Sequence, residues 1–298
     1  MQETPIGLAL SQGGARGLAH IGVLQVLQEH NIPVEHLSGT SIGAVVAAMY
    51  AETLDAYAVE DRFREFINSD LYAGTELARL ARPREREASF WDQIAHRIRG
   101  TIALNLAQSR KGILKQEKLE EALEMLISLR NFNECKVPVI VVATDITWGR
   151  AIPLCTGNLI KAVMASASIP GFFPPVRFDD ILLSDGAICC PVPVKFATCS
   201  EEALVIGVAV PPRLDKSEIP ENALDVMIRA EEINMYHFTE SQMLDADIRI
   251  YPDIGHVEWN ELHRLEEAVQ AGREAAQNVL PELERALKKK EHWWSRML

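Results

Sequence analysis

The stretch HLSGTSIGA, residues 36–44, decides the fold of this chain. It matches the pattern G-x-S-x-G and stands between a short apolar segment and a run of small residues typical of a helix. A strand, a sharp turn and a helix in this order would expose the hydroxyl of Ser41, while Gly39 and Gly43 allow close packing around the turn. The helix N-terminus favours negative charge near Ser41. A serine that only caps a tightly packed helix gives the same pattern, so this motif alone leaves both interpretations open.

A glycine-rich loop precedes this turn. An apolar segment at residues 6–10 runs into SQGGARG, residues 11–17, and a helical pattern follows. Glycines let successive backbone N–H groups converge on one point, as an anion site for an acyl-transfer intermediate requires. The side chain of Arg16 would either bind a headgroup phosphate or clamp the loop to a neighbouring carboxylate. The candidate oxyanion and substrate-binding residues are Gly13, Gly14, Ala15, Arg16 and Gly17.

The same loop also resembles a dinucleotide-binding turn, which is a glycine-rich connection from a strand to a helix. That interpretation needs an acidic residue at the end of the second strand to bind a ribose, and this chain has residues 38–41, SGTS, at that point. A phosphate-binding P-loop is disfavoured further because no Gly-Lys-Ser/Thr follows the glycines. The sequence therefore favours an oxyanion loop.

Apolar runs alternate with helical patterns along the chain, which predicts a mostly parallel sheet covered by helices on both faces. The predicted strands are residues 6–10, 34–37, 137–144, 181–183, 203–210 and 248–251, and the predicted helices are residues 18–29, 42–54, 158–168, 222–244 and 261–287. Residues 69–115 interrupt the alternation with helical fragments and many charges, so we expect a helical insertion or cap there. We expect a catalytic domain at residues 6–210, completed by a C-terminal helical region at residues 211–298.

The bulk properties favour one acidic domain. With 298 residues, 48% of them apolar, the chain can bury the core of a single large α/β domain. Its net charge of −12 repels phosphates, which argues against a nucleic acid partner. No secretion signal and no run of about 20 apolar residues is apparent. The five cysteines match neither a disulfide framework nor a metal site, so we expect a cytoplasmic protein without a bound metal.

A serine nucleophile needs a base, and an α/β-hydrolase supplies a histidine late in the chain. No late histidine here lies in a glycine-bounded loop after a predicted strand. The G-x-S-x-G turn also comes too early for that class, which places several strands before its nucleophile. The histidines concerned are His237, His256, His263 and His292.

Four separated blocks resemble those of the patatin-like phospholipase family. They are the glycine loop with its helix (residues 12–24), GTSIG (39–43), ASASIPGFFPP (165–175) and DGA (185–187), and they occur in the family's order. The resemblance implies a three-layer α/β/α fold with a mostly parallel central sheet. It also implies hydrolysis of carboxylic esters in acyl lipids, such as phospholipids or lysophospholipids, without a cofactor.

The resemblance further implies a Ser-Asp dyad of Ser41 and Asp185, the latter in a D-G-A motif with Gly186 and Ala187. An ordinary aspartate, with a pKa of about 4, accepts a hydroxyl proton poorly, so burial would have to raise its basicity. We therefore predict that Asp185 is partly buried and within hydrogen-bond reach of Ser41. Asp145 also closes an apolar strand, but the better interpretation is a structural aspartate that caps the next turn.

One position departs from the family pattern. The loop of the family usually opens with a glycine where this chain has Gln12. If Gln12 needs a positive φ, the turn is strained, and otherwise the loop begins one residue later. The number of oxyanion donors depends on which of these holds.

Two segments are candidates for peripheral membrane contact. Arginines and large apolar residues alternate within residues 79–104, which would lie on an anionic bilayer, cap an acyl channel or pack on the sheet. The tail, residues 288–298, has three lysines followed by aromatic and apolar residues, and would bind an interface, fray or form a homo-oligomer contact. Two other functions stay open: a thioesterase-like hydrolase with a Ser-His-Asp triad, and a catalytically weak lipid-binding or regulatory protein.

Overall fold

Eight strands form one sheet in the computed structural model of the chain, which describes residues 4–73, 114–198, 200, 203–214, 220 and 223–294. The pairing follows the order β5-β6-β3-β2-β1-β7-β8, with β4 paired to β3 as a hairpin. Strands β3, β2, β1, β7 and β8 are parallel, and β4, β5 and β6 add antiparallel pairs at one side. The strands are β1 (Ile6–Leu10), β2 (His36–Thr40), β3 (Val139–Asp145), β4 (Arg150–Leu154), β5 (Val176–Phe178), β6 (Ile181–Asp185), β7 (Leu204–Val208) and β8 (Ile248–Ile250).

Helices and a loop segment cover the two faces of this sheet. Leu8 and Leu10 of β1 belong to the large core on one face, whereas Ala9 packs with Val192 and Met243 on the other. Successive strand residues point to opposite faces, so β1 is buried on both sides and the predicted α/β/α layering is confirmed. The helices are α1 (Ala19–Glu29), α2 (Ile42–Thr53), α3 (Ala56–Ile67), α4 (Asp70–Ala73), α5 (Gln116–Leu126), α6 (Leu159–Ser166), α7 (Ala223–Met243) and α8 (Leu265–Trp294).

The C-terminal residues contribute to the same sheet and the same core. Strand β8 extends the parallel sheet beside β7, and helix α8 packs along α1. Ala268 and Val269 of α8 are buried in the core that also contains Ile21 of α1. An ion pair between Arg273 and Glu29 joins the two helices at their surface, with Nη2 and Oε1 2.9 Å apart.

Strand β2 lies further along the chain than residues 34–37, where the sequence predicts it. It spans His36–Thr40 and lies between β1 and β3. Its polar side chains are tolerated there because they have buried hydrogen-bond partners. The hydroxyl of Ser38 donates to the Pro193 carbonyl at 2.9 Å, and that of Thr40 donates to the Cys190 carbonyl at 2.8 Å. These polar residues resemble a turn in the sequence, but the sheet continues through them up to the residue before Ser41.

Two strands and three helices of the described residues lie outside the predicted strands and helices, and one of the three, α4, begins the predicted insertion. Strand β4 contains Pro153, which argues against a central strand but is tolerated in a hairpin at the side of the sheet. Strand β5 has only 3 residues. Helix α3 begins at the N-cap Asp55, whose carboxylate accepts the N–H groups of Tyr57 and Ala58, and α5 is a charged amphipathic helix.

The predicted insertion falls largely outside the described residues, and the predicted tail does so in part. Residues 74–113, which include the basic segment, are not described, so the insertion or cap stays a prediction. Helix α8 continues beyond the predicted end at residue 287 as far as Trp294, and the side chains of the tail after residue 290 are not described. Among the described helices, none is both long enough and apolar enough to span a bilayer.

Candidate active site

Ser41 occupies the sharp turn between β2 and α2. Its φ of 56° and ψ of −123° are strained for a residue with a side chain. Helix α2 starts at the next residue, and its first turn lies directly against the end of β1. A Cβ atom at position 43 would be 2.2 Å from the Leu10 carbonyl oxygen, so only glycine allows this approach. The other glycine of the motif, Gly39, lies within β2.

Strand β3 brings Ser41 and Asp185 together. On β3, Val142 pairs with Thr40 of β2, and the next residue pairs with Asp185 of β6. Strand β4 occupies the other edge of β3 along residues 141–145, so β2 and β6 share one edge and meet end to end. Two residues that lie 144 positions apart in sequence thereby become neighbours.

The side chains of the two residues form a direct hydrogen bond. Ser41 Oγ donates to Asp185 Oδ2 at 2.8 Å, and the N–H of Ala187 donates to the second carboxylate oxygen, Oδ1, also at 2.8 Å. The relative exposure of Ser41 is 8% and that of Asp185 is 4%. The contact and the burial that the sequence predicts are both present, and Ala187 of the D-G-A motif fixes the orientation of the carboxylate.

Burial makes Asp185 a stronger base than an ordinary aspartate. Desolvation raises its pKa from 3.8 to about 7, although the bonds from the Ala187 N–H and the Ser41 hydroxyl act in the opposite direction. A carboxylate with a pKa near neutrality can both accept and return a proton at physiological pH.

The glycine loop lies between β1 and α1, next to the turn at Ser41. Gly14 has a φ of 59°, and a Cβ atom there would lie 2.3 Å from the Trp259 carbonyl oxygen, so both conformation and space require glycine. Gly17 contacts Ile42 at the start of α2. The loop is therefore packed between helix α2 and the C-terminal segment around Trp259.

Not every N–H of this loop is available as an oxyanion donor. The N–H of Ala15, one of the predicted donors, donates to the Trp259 carbonyl at 2.6 Å. Within the described residues, no backbone carbonyl accepts the N–H of Gly13 or of Gly14. These two amides therefore remain candidate donors to a negatively charged oxygen.

Gln12 does not strain the loop. Its N–H donates to the Pro191 carbonyl at 3.0 Å, and Gln12 does not have a positive φ. The left-handed conformation occurs at Gly14 instead. The departure from the family pattern is thus accommodated by a loop that turns after Gln12.

The guanidinium of Arg16 anchors the loop to other parts of the chain. Its Nε donates to the Val210 carbonyl at 3.2 Å and its Nη1 to the Val257 carbonyl at 2.9 Å. The side chain is buried, and this desolvation lowers the pKa of Arg16 to about 10. The predicted clamp is therefore present, but its hydrogen-bond acceptors are two carbonyl oxygens, while the nearby charges of Glu258 and Glu232 act to raise the pKa of Arg16. Binding of a headgroup phosphate stays a prediction.

The competing acid and a late histidine have other partners. Asp145 Oδ1 accepts the N–H groups of Thr147 and Trp148 at 3.0 and 3.4 Å, so the predicted turn-capping role is confirmed. His256 Nε2 is hydrogen-bonded to Glu267 at 2.8 Å.

A further buried residue, Ser166 at the end of α6, contacts the backbone of the candidate nucleophile. Its hydroxyl accepts the N–H of Ser41 at 2.9 Å. Ser166 lies within the family block at residues 165–175, but nothing in the pattern of that block assigns it a role. Only the fold shows that α6 ends beside the turn.

The sequence profile of the patatin-like phospholipase family matches residues 8–198, which include Ser41, the glycine loop and the D-G-A motif. The chain therefore belongs to the patatin-like phospholipase family.

Individual relatives agree with this assignment. An uncharacterized NTE family protein of Mycobacterium tuberculosis is 30% identical over 242 residues, covering 81% of this chain and 58% of that protein. Lysophospholipase NTE1 of Mycosarcoma maydis is 28% identical over 189 residues, covering 63% of this chain and 9% of that protein. The crystal structure of VipD from Legionella pneumophila shares the fold, with a TM-score of 0.50 at 18% identity over 94% of this chain and 67% of that one. The chain thus spans little more than half the length of the mycobacterial relative.

The raised pKa of Asp185 generates a stability prediction. Below about pH 4 the carboxyl is protonated in both folded and unfolded chains, and as pH rises to about 7 only the unfolded chain ionises readily, so stability is lost. Asp185→Asn removes this penalty, which is at most ~4 kcal/mol for a pKa raised from 3.8 to about 7. In urea unfolding, the free energy of unfolding of the variant should exceed that of wild type by more at about pH 8 than at about pH 4.5. Asp180→Asn, in an exposed turn, is the control, and an equal pH dependence for both variants would contradict the prediction.

The strained backbone of Ser41 generates a second prediction. Ser41→Ala and Ser41→Gly remove the same hydroxyl, but only glycine relieves the strain of a positive φ. We expect Ser41→Gly to be more stable than Ser41→Ala by about 1 kcal/mol in chemical unfolding. Ala44→Gly, within α2, should instead destabilise by about 1 kcal/mol. If the two variants at position 41 unfold at the same denaturant concentration, the turn is unstrained.

Proposed function

We propose that this chain is a serine lipid acyl hydrolase of the phospholipase A or lysophospholipase type. The observation that carries the proposal is the 2.8 Å hydrogen bond from Ser41 to Asp185, at a strand-to-helix turn beside a glycine loop. Membership of the patatin-like phospholipase family supports the same chemistry. A relative named as a lysophospholipase supports single-chain lipids among the substrates.

In the proposed first step, the Asp185 carboxylate accepts the proton of Ser41 while Oγ attacks the carbonyl carbon of the ester. The carbonyl oxygen becomes negatively charged, and the N–H groups of Gly13 and Gly14 donate to it. The C–O bond to the glycerol moiety then breaks. The leaving oxygen takes the proton from Asp185, and the acyl group stays on Ser41.

In the second step, water attacks the acyl-enzyme while Asp185 accepts one of its protons. The second tetrahedral intermediate collapses, the fatty acid leaves, and Ser41 recovers its proton from Asp185. One carboxylate acts as base in each attack and as acid in each collapse. The pKa of Asp185, which burial raises to about 7, suits both roles near neutral pH. The proposal requires neither a metal nor a cofactor.

A catalytically weak lipid-binding or regulatory protein is the second candidate. One observation favours it, because the bond from the Ala15 N–H to the Trp259 carbonyl reduces the number of oxyanion donors. A thioesterase-like enzyme with a Ser-His-Asp triad has no comparable support. The Ser41 hydroxyl bonds to Asp185, and His256 bonds to Glu267.

We also propose a cytoplasmic protein that contacts membranes peripherally, because its lipid substrates would be drawn from a bilayer or a micelle. Of the two segments that the sequence predicts for this contact, residues 79–104 are not described, and the tail has described side chains only up to residue 290. Within that part, Lys290 Nζ donates to the Ala203 carbonyl at 2.6 Å. The homo-oligomer contact through the tail likewise stays a prediction.

Substitution of the dyad tests the proposed activity. We expect Ser41→Ala and Asp185→Asn each to lower kcat/KM by about 10³-fold or more, because the two residues act as one catalytic unit. Fatty acid release would be measured from lysophosphatidylcholine micelles and diacylphosphatidylcholine vesicles, with Asp180→Asn as the control. A fluorophosphonate should label wild type and not Ser41→Ala. Unchanged turnover in both dyad variants would end the proposal, and unlabelled wild type would favour the weak lipid-binding candidate.

The pKa of Asp185 predicts the pH dependence of the reaction. The base works only when it is ionised, and with a pKa of about 7 its ionised fraction falls about tenfold for each pH unit below that value. We expect kcat/KM to rise with pH and to level off above about pH 7. Rates of fluorophosphonate labelling between about pH 5 and about pH 9 would report the free enzyme. A profile that is flat down to about pH 5 would show that Asp185 is not the base.

A further inference from the structure

Ser166 is a buried residue whose hydroxyl is fully engaged at the candidate active site. It accepts the N–H of Ser41 at 2.9 Å and donates to the Val142 carbonyl at 2.6 Å. The residue is 0% exposed and ends helix α6. The hydroxyl thus connects the nucleophile's backbone to strand β3.

The position of this bond explains why it matters. Val142 pairs with Thr40, the last residue of β2, and beyond it the neighbour of β3 becomes β6. The chain leaves the sheet at Ser41, so the N–H of Ser41 needs an acceptor that the strand can no longer provide. The Ser166 hydroxyl is that acceptor, and it donates its own proton to the Val142 carbonyl of β3.

The same short segment also holds the other dyad residue. The carbonyl of Ser168 accepts the N–H of Asp185 at 3.0 Å and the hydroxyl of Ser184 at 2.8 Å. Residues 166–168 therefore hold the backbone of both dyad members from one side. The hydroxyl of Ser168 itself is directed elsewhere, because it donates to the Met164 carbonyl of α6 at 2.7 Å.

We infer that Ser166 is a positioning residue of the proposed hydrolase: it holds the backbone of Ser41 so that Oγ stays aligned with Asp185. This inference rests on the proposed function. Ser166 acts through Ser41, and its hydroxyl has two backbone partners and none among the reacting groups. The rate of attack should therefore depend on it more than substrate binding does.

Ser166→Ala tests the inference. It removes the hydrogen bonds to the Ser41 N–H and to the Val142 carbonyl, and a displacement of the nucleophile of about 1 Å can lower a rate by about 100-fold. We expect kcat to fall by about 10- to 100-fold with KM nearly unchanged, and fluorophosphonate labelling to slow by the same factor. Ser166→Thr, which keeps the hydroxyl, should restore most of the rate.

Ser38→Ala is the matched control. Ser38 is also 0% exposed and loses one buried hydrogen bond, the 2.9 Å bond to the Pro193 carbonyl, yet its hydroxyl contacts neither dyad residue. Both alanine variants should lower thermal stability, but only Ser166→Ala should lower kcat. If both lose rate in proportion to their loss of stability, Ser166 is merely structural and the inference is overturned.

Two further outcomes separate this inference from the proposed function. A wild-type protein without esterase activity refutes the proposed function and the inference with it, whereas an active wild type with an equally active Ser166→Ala refutes the inference alone. If Ser166→Ala does not fold, Ser166→Cys offers a weaker donor and acceptor in a similar volume. An intermediate loss of kcat would then support the positioning role, and full activity would overturn it.

Discussion

The candidate active site depends on one contact between two strand ends: β2 and β6 meet on the same edge of β3. β4 occupies the opposite edge, so the two strands can only follow one another, and their last residues approach head to head. Ser41 leaves one end and Asp185 closes the other. The hydrogen bond between them is therefore a consequence of sheet register, and a slip of one residue in either strand would separate the two side chains.

Both groups at this junction are held in unfavourable states by the surrounding core. Ser41 has a strained backbone, and burial opposes ionisation of Asp185. In a flexible loop, the backbone of Ser41 would relax and water would hydrate the Asp185 carboxylate. Here the strands on one side and residues 166–168 on the other supply hydrogen bonds that fix both. The burial that makes the carboxylate basic thus also makes the site dependent on a rigid sheet.

Much of this site could be predicted from the sequence, because motifs record local requirements. The turn at Ser41, the glycine loop and the D-G-A motif each need particular small residues at fixed spacing. Partners that arise from long-range packing left no such signal. Ser38 and Thr40 resemble a turn until the carbonyls of residues 193 and 190 are placed beside them. Ser166 and the carbonyl partners of Arg16 become apparent only when distant segments are packed together.

The glycine loop shows that the site extends beyond the residues that match the family profile, which end at 198. The loop is held from outside that range, by the carbonyls of Val210, Val257 and Trp259. β7, which pairs with β1 beneath the loop, also follows the matched range. A chain cut after residue 198 would keep Ser41, Asp185 and the loop glycines, yet it would lose the acceptors that fix the position of the loop. The C-terminal region therefore contributes to the geometry of the site, although it supplies neither Ser41 nor Asp185.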